Sequence, residues 1–93
     1  MELEKKILSM GFDEPVSIRQ RFILIDVAKS EAPYTKGTAE IAKVIGATKT
    51  YTSRAVRSLV DRGLLDRELE PGEAETKRIL KISEELKERI KAD

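Results

Sequence analysis

Residues 48–65, TKTYTSRAVRSLVDRGLL, place cations and hydroxyls on one side of a predicted helix and aliphatic residues on the other. A solvated helix usually pairs Glu with Lys four residues apart. This helix instead has several cations against a single acid, Asp61. The cations are Lys49, Arg54, Arg57 and Arg62. The polar side therefore predicts an anionic partner.

The composition excludes several classes of protein. With 93 residues the chain forms one domain with a small core. It has no Cys, which excludes disulfides, a thiolate nucleophile and Cys-ligated zinc. It has no His either, which excludes an imidazole base and the commonest metal ligand. We therefore expect no enzyme, no metal site and no cofactor.

The N-terminus, MELEKKILSMGF, alternates acids and bases without a long apolar run. It predicts neither a signal peptide nor a membrane span, so we expect an intracellular, cytoplasmic protein. The lack of Cys, His, Trp and Asn, with abundant Glu, Lys and Arg, is typical of a thermophile's protein.

Charge is unevenly distributed along the chain. Residues 36–63 hold six cations and two acids, whereas residues 64–76 hold one cation and five acids. The basic segment coincides with the helix described above, and the acidic one follows directly.

Two predicted helices supply most of the core. Residues 2–10 form a short helix that Gly11 ends. A second helix begins near Pro15, which suits a first helical position. The apolar positions are Leu3, Ile7 and Leu8 on the first helix and Val16, Ile18, Phe22, Ile23, Ile25 and Val27 on the second. Those of the second helix cover too much of its circumference for a surface helix, which makes it the central core helix.

A loop marked by Pro33 and Gly37 leads into a third helix, AEIAKVI, which Thr38 is predicted to cap and Gly46 to end. Its inward residues are predicted to be Ala39, Ile41, Ala42 and Ile45. Thr48 caps a fourth helix only a few residues later. A helix, a tight glycine-containing turn and a second helix indicate a helix-turn-helix.

Beyond Gly63 the apolar period changes to two. LLDRELE and RILKIS are predicted strands, and PGEAETK between them supplies Pro71 and Gly72 for the turn of a hairpin. Ser83 caps a last helix, EELKERIKA. The predicted fold class is therefore α+β, a small winged helix-turn-helix domain. Its expected segments are an N-terminal helix (1–12), the core and helix-turn-helix (13–63), the wing hairpin (64–82) and a C-terminal helix (83–93).

Residues 24–68, LIDVAKSEAPYTKGTAEIAKVIGATKTYTSRAVRSLVDRGLLDRE, resemble the DNA-binding core of MarR-type winged-helix transcriptional regulators. In that family an xELAxxLGxS helix precedes a recognition helix of the form SRxVxxLxxxGLI. The matching residues are Ile41, Ala42, Ile45 and Gly46 in the first helix and Ser53, Arg54, Val56, Leu59, Gly63 and Leu64 in the second. The resemblance implies a sequence-specific double-stranded DNA-binding protein, a transcriptional repressor that occupies an operator as a homodimer.

The sequence also departs from the family pattern. Thr52 stands where an apolar residue is usual, which leaves a hydroxyl inside unless a backbone carbonyl accepts from it. The wing lacks the Asp-x-Arg pattern of MarR proteins, and acids precede Lys77 and Arg78; they are Glu68, Glu70, Glu73 and Glu75. Because acids repel phosphate, we expect contact only from Lys77 and Arg78 at the base of the wing. The chain is also shorter than members with a full dimerisation lobe, so no small-molecule ligand is expected.

The helical wheel assigns contacts on the fourth helix. Its inward residues are Ala55, Val56, Leu59 and Gly63, and Thr50, Arg54, Arg57 and Asp61 lie opposite. Arg54 is placed to pair with guanine, Thr50 and Tyr51 to contact a thymine methyl or a phosphate, and Arg57 to hold a phosphate. Lys36, Lys43, Lys49 and Arg62 would follow the backbone, and Thr48 and Ser53 complete the predicted DNA-binding set.

Several alternatives stay open. The arginines of the fourth helix could pair with Glu40 or Asp61, and Tyr51 could pack against Tyr34 or the wing. The terminal helices could cover the core or form a dimer through Leu3, Ile7, Leu86 and Ile90. Two other functions use the same fold: a plasmid or viral replication or partition protein, and a winged-helix protein-interaction module that uses the acidic hairpin.

Overall fold

The computed structural model describes residues 2–71 and 76–92. In chain order the elements are α1 (Glu2–Ser9), α2 (Ile18–Lys29), α3 (Thr38–Ile45), α4 (Lys49–Asp61), β1 (Leu65–Pro71), β2 (Thr76–Ile82) and α5 (Glu84–Ala92). Five helices with one antiparallel hairpin confirm the α+β winged helix. The predicted turn residue Gly72 and the acids Glu73 and Glu75 lie outside the described residues.

Local backbone chemistry sets the helix-turn-helix. Gly46 ends α3 in the left-handed region with φ 67, which a side chain would disfavour. The Thr48 hydroxyl accepts the amide of Tyr51 at 3.1 Å and caps α4, as predicted. The buried Thr52 hydroxyl donates a hydrogen bond to the Thr48 carbonyl at 2.8 Å, so the hydroxyl expected on the inner face has an acceptor.

A second glycine turn joins α4 to the wing. Gly63 has φ 73, and its amide donates to the Val60 carbonyl at 3.0 Å. The next amide, of Leu64, donates to the Leu59 carbonyl at 3.0 Å, which completes a Schellman motif. The chain therefore leaves α4 at a fixed angle and enters β1.

The hairpin packs one of its faces on the helices. Register pairs Leu65 with Ile82 and Arg67 with Leu80. Leu65, Leu80 and Ile82 are buried. On the other edge of β2, the Leu80 amide donates to the carbonyl of Tyr34 at 3.0 Å, which ties the loop before α3 to the wing.

The core surrounds α2, as predicted. Its buried members come from every helix and both strands and include Ile23, Leu24, Val27, Ile41, Ile45, Val56, Leu59, Leu65, Leu80 and Leu86. The terminal helices cover this core, since Ile7 and Leu86 are fully buried and Leu3 and Ile90 pack against it. Lys6 also donates to the Ile90 carbonyl at 3.0 Å. Of the two roles left open for these helices, covering the core is the one that the single chain shows.

Two helix starts differ from the predictions. Ser17, not Pro15, marks the start of α2, because Ser17 and Gln20 form a capping box with bonds of 3.1 Å in each direction. At α3 the cap is Gly37, and Thr38 is the first helical residue. No side-chain cap bond is made there.

Four residues predicted to be apolar contacts are exposed. Leu8, Ile18, Phe22 and Ala39 all lie at the surface. The prediction overestimated the buried width of α1, α2 and α3, because each helix buries only the side that meets its neighbours. No described helix is long and apolar enough to cross a membrane.

An arginine fixes the loop between α1 and α2. Arg21 donates to the carbonyls of Ile7 at 2.8 Å and Met10 at 2.7 Å. The Phe12 ring has two guanidiniums beside it, those of Arg21 and Arg89, each 5.1 Å from its centroid. These contacts attach the loop between α1 and α2 to α2 and α5.

Candidate nucleic-acid interface

The two faces of α4 differ as the helical wheel predicts. Thr52, Ala55, Val56 and Leu59 are buried, whereas Thr50, Arg54, Arg57 and Asp61 are exposed. The first turn contains no acid. The buried face fixes the helix on the core, and so the polar face is held outward in a defined orientation.

The first turns of α4 line a shallow concavity of about 390 Å³ with the start of α3. Its lining residues are Thr38, Lys49, Thr50, Ser53 and Arg54. Four of the predicted contact residues thus lie together, and Thr38 joins them. Hydroxyl groups and cationic side chains donate hydrogen bonds to phosphates and to base edges.

A second concavity of about 370 Å³ lies between α4 and the wing. Its lining residues are Thr38, Ser53, Val56, Arg57, Val60, Asp61, Arg67 and Arg78. The structure thus brings Arg57 and Arg78 to one surface and adds Arg67, which the sequence-based prediction missed. Among the described residues, no acid lies within salt-bridge distance of Arg54, Arg57, Arg67 or Arg78. The alternative in which Arg54 and Arg57 pair with Glu40 or Asp61 is therefore not observed.

Tyr51 lies against α2 rather than against Tyr34 or the wing. Its hydroxyl is hydrogen-bonded to that of Ser17, 2.8 Å away. The Arg19 guanidinium lies 6.0 Å from the centroid of its ring. Tyr51 therefore positions the N-terminus of α4, and Arg19 adds a cation beside the predicted interface.

The side chain of Lys36 is bonded to other residues of this chain. Its ammonium donates to Asp26 Oδ2 at 3.0 Å and lies 5.4 Å from the centroid of the Tyr34 ring. Tyr34 Oη donates to the same oxygen at 2.5 Å. Burial raises the pKa of Asp26, but the hydrogen bonds from Tyr34 and Lys36 and the charges of Lys36 and Lys29 outweigh it, and the pKa falls below its ordinary value. Burial, with the bond to Asp26, raises the pKa of Tyr34 above its ordinary range.

Arg62 is also held within the protein. The residue is half-buried, and its guanidinium donates to the carbonyl of Pro15 at 2.9 Å and to that of Glu14 at 2.5 Å. These bonds attach the end of α4 to the loop before α2. A side chain that satisfies main-chain carbonyls stabilises the fold directly.

The other predicted contact residues are spread around this surface. Lys43 is exposed on α3 but lines neither concavity, and Thr48 is the cap of α4. Arg78 is exposed on β2. The side chain of Lys77 lies outside the described part of the chain.

Strand alternation separates the described acids of the wing from its arginines. Asp66 and Glu68 lie on the face opposite Arg67, and Glu68 is paired with Lys81 at 3.0 Å. The sequence does signal Arg67, since period two places it with Leu65 and away from these acids. The contact of Arg19 with Tyr51 has no such signal, because it joins residues 32 positions apart.

The part of the chain that carries this surface matches a known family. A model of the MarR family matches residues 34–74, which include α3, α4 and β1. No curated protein sequence matches the chain significantly. Three similar solved structures are 16% to 22% identical to this chain, so the likeness lies in the fold.

These three structures come from an archaeon and two bacteria. A protein from the thermoacidophilic archaeon Sulfolobus tokodaii has a TM-score of 0.61 at 22% identity, over 99% of this chain and 86% of that chain. ZitR from Lactococcus lactis has a TM-score of 0.62 at 18% identity, over 90% of this chain and 54% of that one. The adhesin competence repressor AdcR from Streptococcus pyogenes has a TM-score of 0.61 at 16% identity, over 97% and 63%. The chain therefore spans about half to two thirds of the two bacterial proteins.

Proposed function

Because the chain is a winged-helix protein that resembles the DNA-binding core of MarR regulators, we propose that it is a DNA-binding transcription regulator that binds specific duplex sites through α4. One observation carries the proposal. The polar face of α4 exposes Thr50, Arg54 and Arg57, has no acid in its first turn and is fixed by a buried opposite face.

The residues divide by expected role. Arg54, near the helix start and at the centre of the outward face, contacts a base edge in the major groove. Thr50 and Ser53 flank it, and Arg57, Lys49 and Lys43 hold phosphates. Lys36 and Arg62 are left out of this interface, because their cationic groups are bonded within the protein.

We further propose that the protein represses transcription by occupying an operator and that it does so as a homodimer at the nucleoid. A two-fold dimer predicts an inverted repeat whose half-site centres lie about one DNA turn, or a multiple, apart. The four residues predicted for the dimer contact pack in the core or against it, so the dimer contact involves other residues. These four are Leu3, Ile7, Leu86 and Ile90. Sedimentation at micromolar concentration together with a footprint tests this, and a monomer with a footprint lacking symmetry contradicts it.

A polarisation assay tests the proposed function itself. Random duplex DNA is titrated with the protein across a salt series, and log affinity is expected to fall linearly with log salt by about 0.9 per phosphate contact. A weak signal independent of salt contradicts DNA binding and favours a protein-interaction module. Selection of bound fragments from genomic DNA then identifies the site and distinguishes an operator from the repeated sites of a replication or partition protein.

A further inference from the structure

One face of α2 is apolar and exposed, although the rest of the helix lies in the core. Ile18 and Phe22 are one turn apart on this face, and 55% and 40% of their surfaces are exposed. Ile25, of which 9% is exposed, follows after three residues, and the exposed Lys29 follows after four more. These four residues form a stripe, the α2 seam. Spacings of four, three and four residues are those of a coiled-coil seam, along which one helix packs against another.

The helix α1 borders the α2 seam on one side without covering it. Glu4 of α1 pairs with Lys29 at 3.2 Å, and the Leu8 carbonyl accepts from Arg21 at 3.3 Å, so the two helices run antiparallel. Leu8 itself is exposed and widens the apolar surface beside Phe22. The seam is therefore an open surface between neighbouring elements of the same chain.

The loop before α3 borders the seam on the other side. Its residues Tyr34 and Lys36 bond to Asp26, which lies on α2 just beside the seam. These bonds fix the loop at the side of α2, and the exposure of Ile18 and Phe22 shows that the loop does not cover them.

The α2 seam is complementary in shape to a second copy of itself. In an antiparallel pair about a two-fold axis, Phe22 of one copy faces Ile25 of the other, and Ile18 faces Lys29. Phe22 protrudes and Ile25 is recessed, so the ring of one copy packs over the isoleucine of the other. The methylene groups of Lys29 cover Ile18 while the ammonium stays in water.

Charges beside the seam match in the same arrangement. Arg19 and Asp26 are seven residues apart and lie along one side of the seam. Antiparallel packing brings Arg19 of each copy beside Asp26 of the other, and the symmetry forms this pair twice. Among the described residues Arg19 forms no salt bridge, and Asp26 uses only Oδ2 for Tyr34 and Lys36. Parallel packing would instead place the two Lys29 ammoniums together, which is unfavourable.

We propose that the α2 seam is the contact through which two copies of this chain form a homodimer, with the two α2 helices packed antiparallel about a two-fold axis. The proposal rests on the homodimer of the proposed function and assigns its contact. The helices α1 and α5 keep their place over the core of their own chain. Because α2 has 12 residues and is about 18 Å long, the contact is small, and the dimer is expected to dissociate in the micromolar range.

Sedimentation equilibrium across a micromolar concentration series measures the association. Phe22→Ser and Ile18→Ser are each expected to raise the dissociation constant about tenfold or more, because each removes an apolar side chain from both copies. Leu69→Ser is the matched control, since Leu69 on the wing is 65% exposed and lies away from the seam. It should leave the dissociation constant unchanged. Thermal unfolding confirms that each variant is folded.

Disulfide formation tests the antiparallel orientation separately. The chain has no Cys, so a single introduced cysteine is a specific probe. An equimolar mixture of Ile18→Cys and Lys29→Cys proteins is oxidised mildly, and the products are identified by mass. Antiparallel packing predicts mainly the mixed disulfide between the two variants, because these positions face each other. A predominance of disulfides between identical copies contradicts this orientation.

The outcomes separate the contact from the proposed function. If the unmodified protein is a dimer and both serine variants associate as tightly, the α2 seam is not the contact and the homodimer stands. If the unmodified protein is a monomer throughout, the homodimer and its contact both fail. Salt-dependent binding of random duplex by that monomer would still support the proposed DNA binding.

Discussion

Arginines on two sides of the molecule are used in opposite ways. Around the loop before α2, three of them donate to main-chain carbonyls; these are Arg21, Arg62 and Arg89. Between α4 and the wing, Arg54, Arg57, Arg67 and Arg78 have no hydrogen-bond or salt-bridge partner within the described residues. An arginine whose donors are satisfied stabilises the fold, whereas one held outward on a fixed helix is available to an anion. Sequence alone shows eighteen cations, and only the structure divides them in this way.

Stability should change most when an arginine around the loop before α2 is replaced. Arg21→Ala removes donors to three part-buried or exposed carbonyls near the end of α1 and one guanidinium from the Phe12 ring. We expect the free energy of unfolding to fall by about 2–3 kcal/mol, since hydrogen bonds from charged groups are among the stronger ones. Urea denaturation measures it, with Lys5→Ala on the exposed side of α1 as the control. The DNA affinity of the folded fraction should not change. A lower salt slope of DNA binding would mean that Arg21 contacts a phosphate, as is expected of the arginines between α4 and the wing.

Arg62 distinguishes the two groups of arginines, because its position in the sequence predicts a phosphate contact whereas its guanidinium bonds to main-chain carbonyls. Its bonds to Pro15 and Glu14 lead us to expect that Arg62→Ala lowers the free energy of unfolding by about 1–2 kcal/mol. The salt slope of DNA binding should stay the same. A slope reduced by about one would mean that Arg62 leaves those carbonyls to bind a phosphate.

Asp26 makes a smaller, pH-dependent contribution to the free energy of unfolding. Its pKa is lowered in the folded protein, so the bonds from Tyr34 and Lys36 stabilise the fold fully above the unfolded pKa, about 3.9, and are lost as the pH falls through the lower folded value. Asp26→Asn is expected to cost about 1 kcal/mol at pH 7. Denaturation at a series of pH values should show the two proteins converging below about pH 4. A difference that does not shrink in acid would show that the carboxylate charge is not what matters.

DNA binding should change little with pH. No histidine is present, so DNA affinity at constant salt should be nearly constant between about pH 6 and 8. Polarisation titrations at three pH values measure this. A tenfold change would reveal an acid or a lysine with a strongly shifted pKa at the interface.

Local signals were sufficient for the helix-turn-helix and the wing. Gly46 and Gly63 adopt the left-handed conformations that end α3 and α4, and Thr48 caps α4. The change from a helical period to a period of two predicted both strands. Each of these features depends on a few neighbouring residues, which is why the sequence reveals it.

The features that the sequence did not predict depend on competition between alternative helix starts or on contacts between residues far apart in the chain. Ser17 starts α2 because its reciprocal bonds with Gln20 satisfy two backbone donors, which Pro15 does not do. The hydroxyl pair of Ser17 and Tyr51 joins residues 34 positions apart, and no local pattern predicts it. Arg67 and Arg78 line one concavity because the register of the hairpin places them on one face, and the apolar period of each strand does not by itself determine that register.

Recognition of the DNA sequence by α4 is tested by the ratio of the affinity for the selected site to the affinity for random duplex. Arg54→Ala should cost about 1–3 kcal/mol on the selected site and reduce the ratio by relaxing preference at one base pair. Lys43 is an exposed cation on α3. Lys43→Ala should weaken binding to the selected site and to random duplex by similar factors and so leave the ratio unchanged. If Arg54→Ala keeps the ratio while Lys43→Ala abolishes it, α4 is not the element that recognises the sequence.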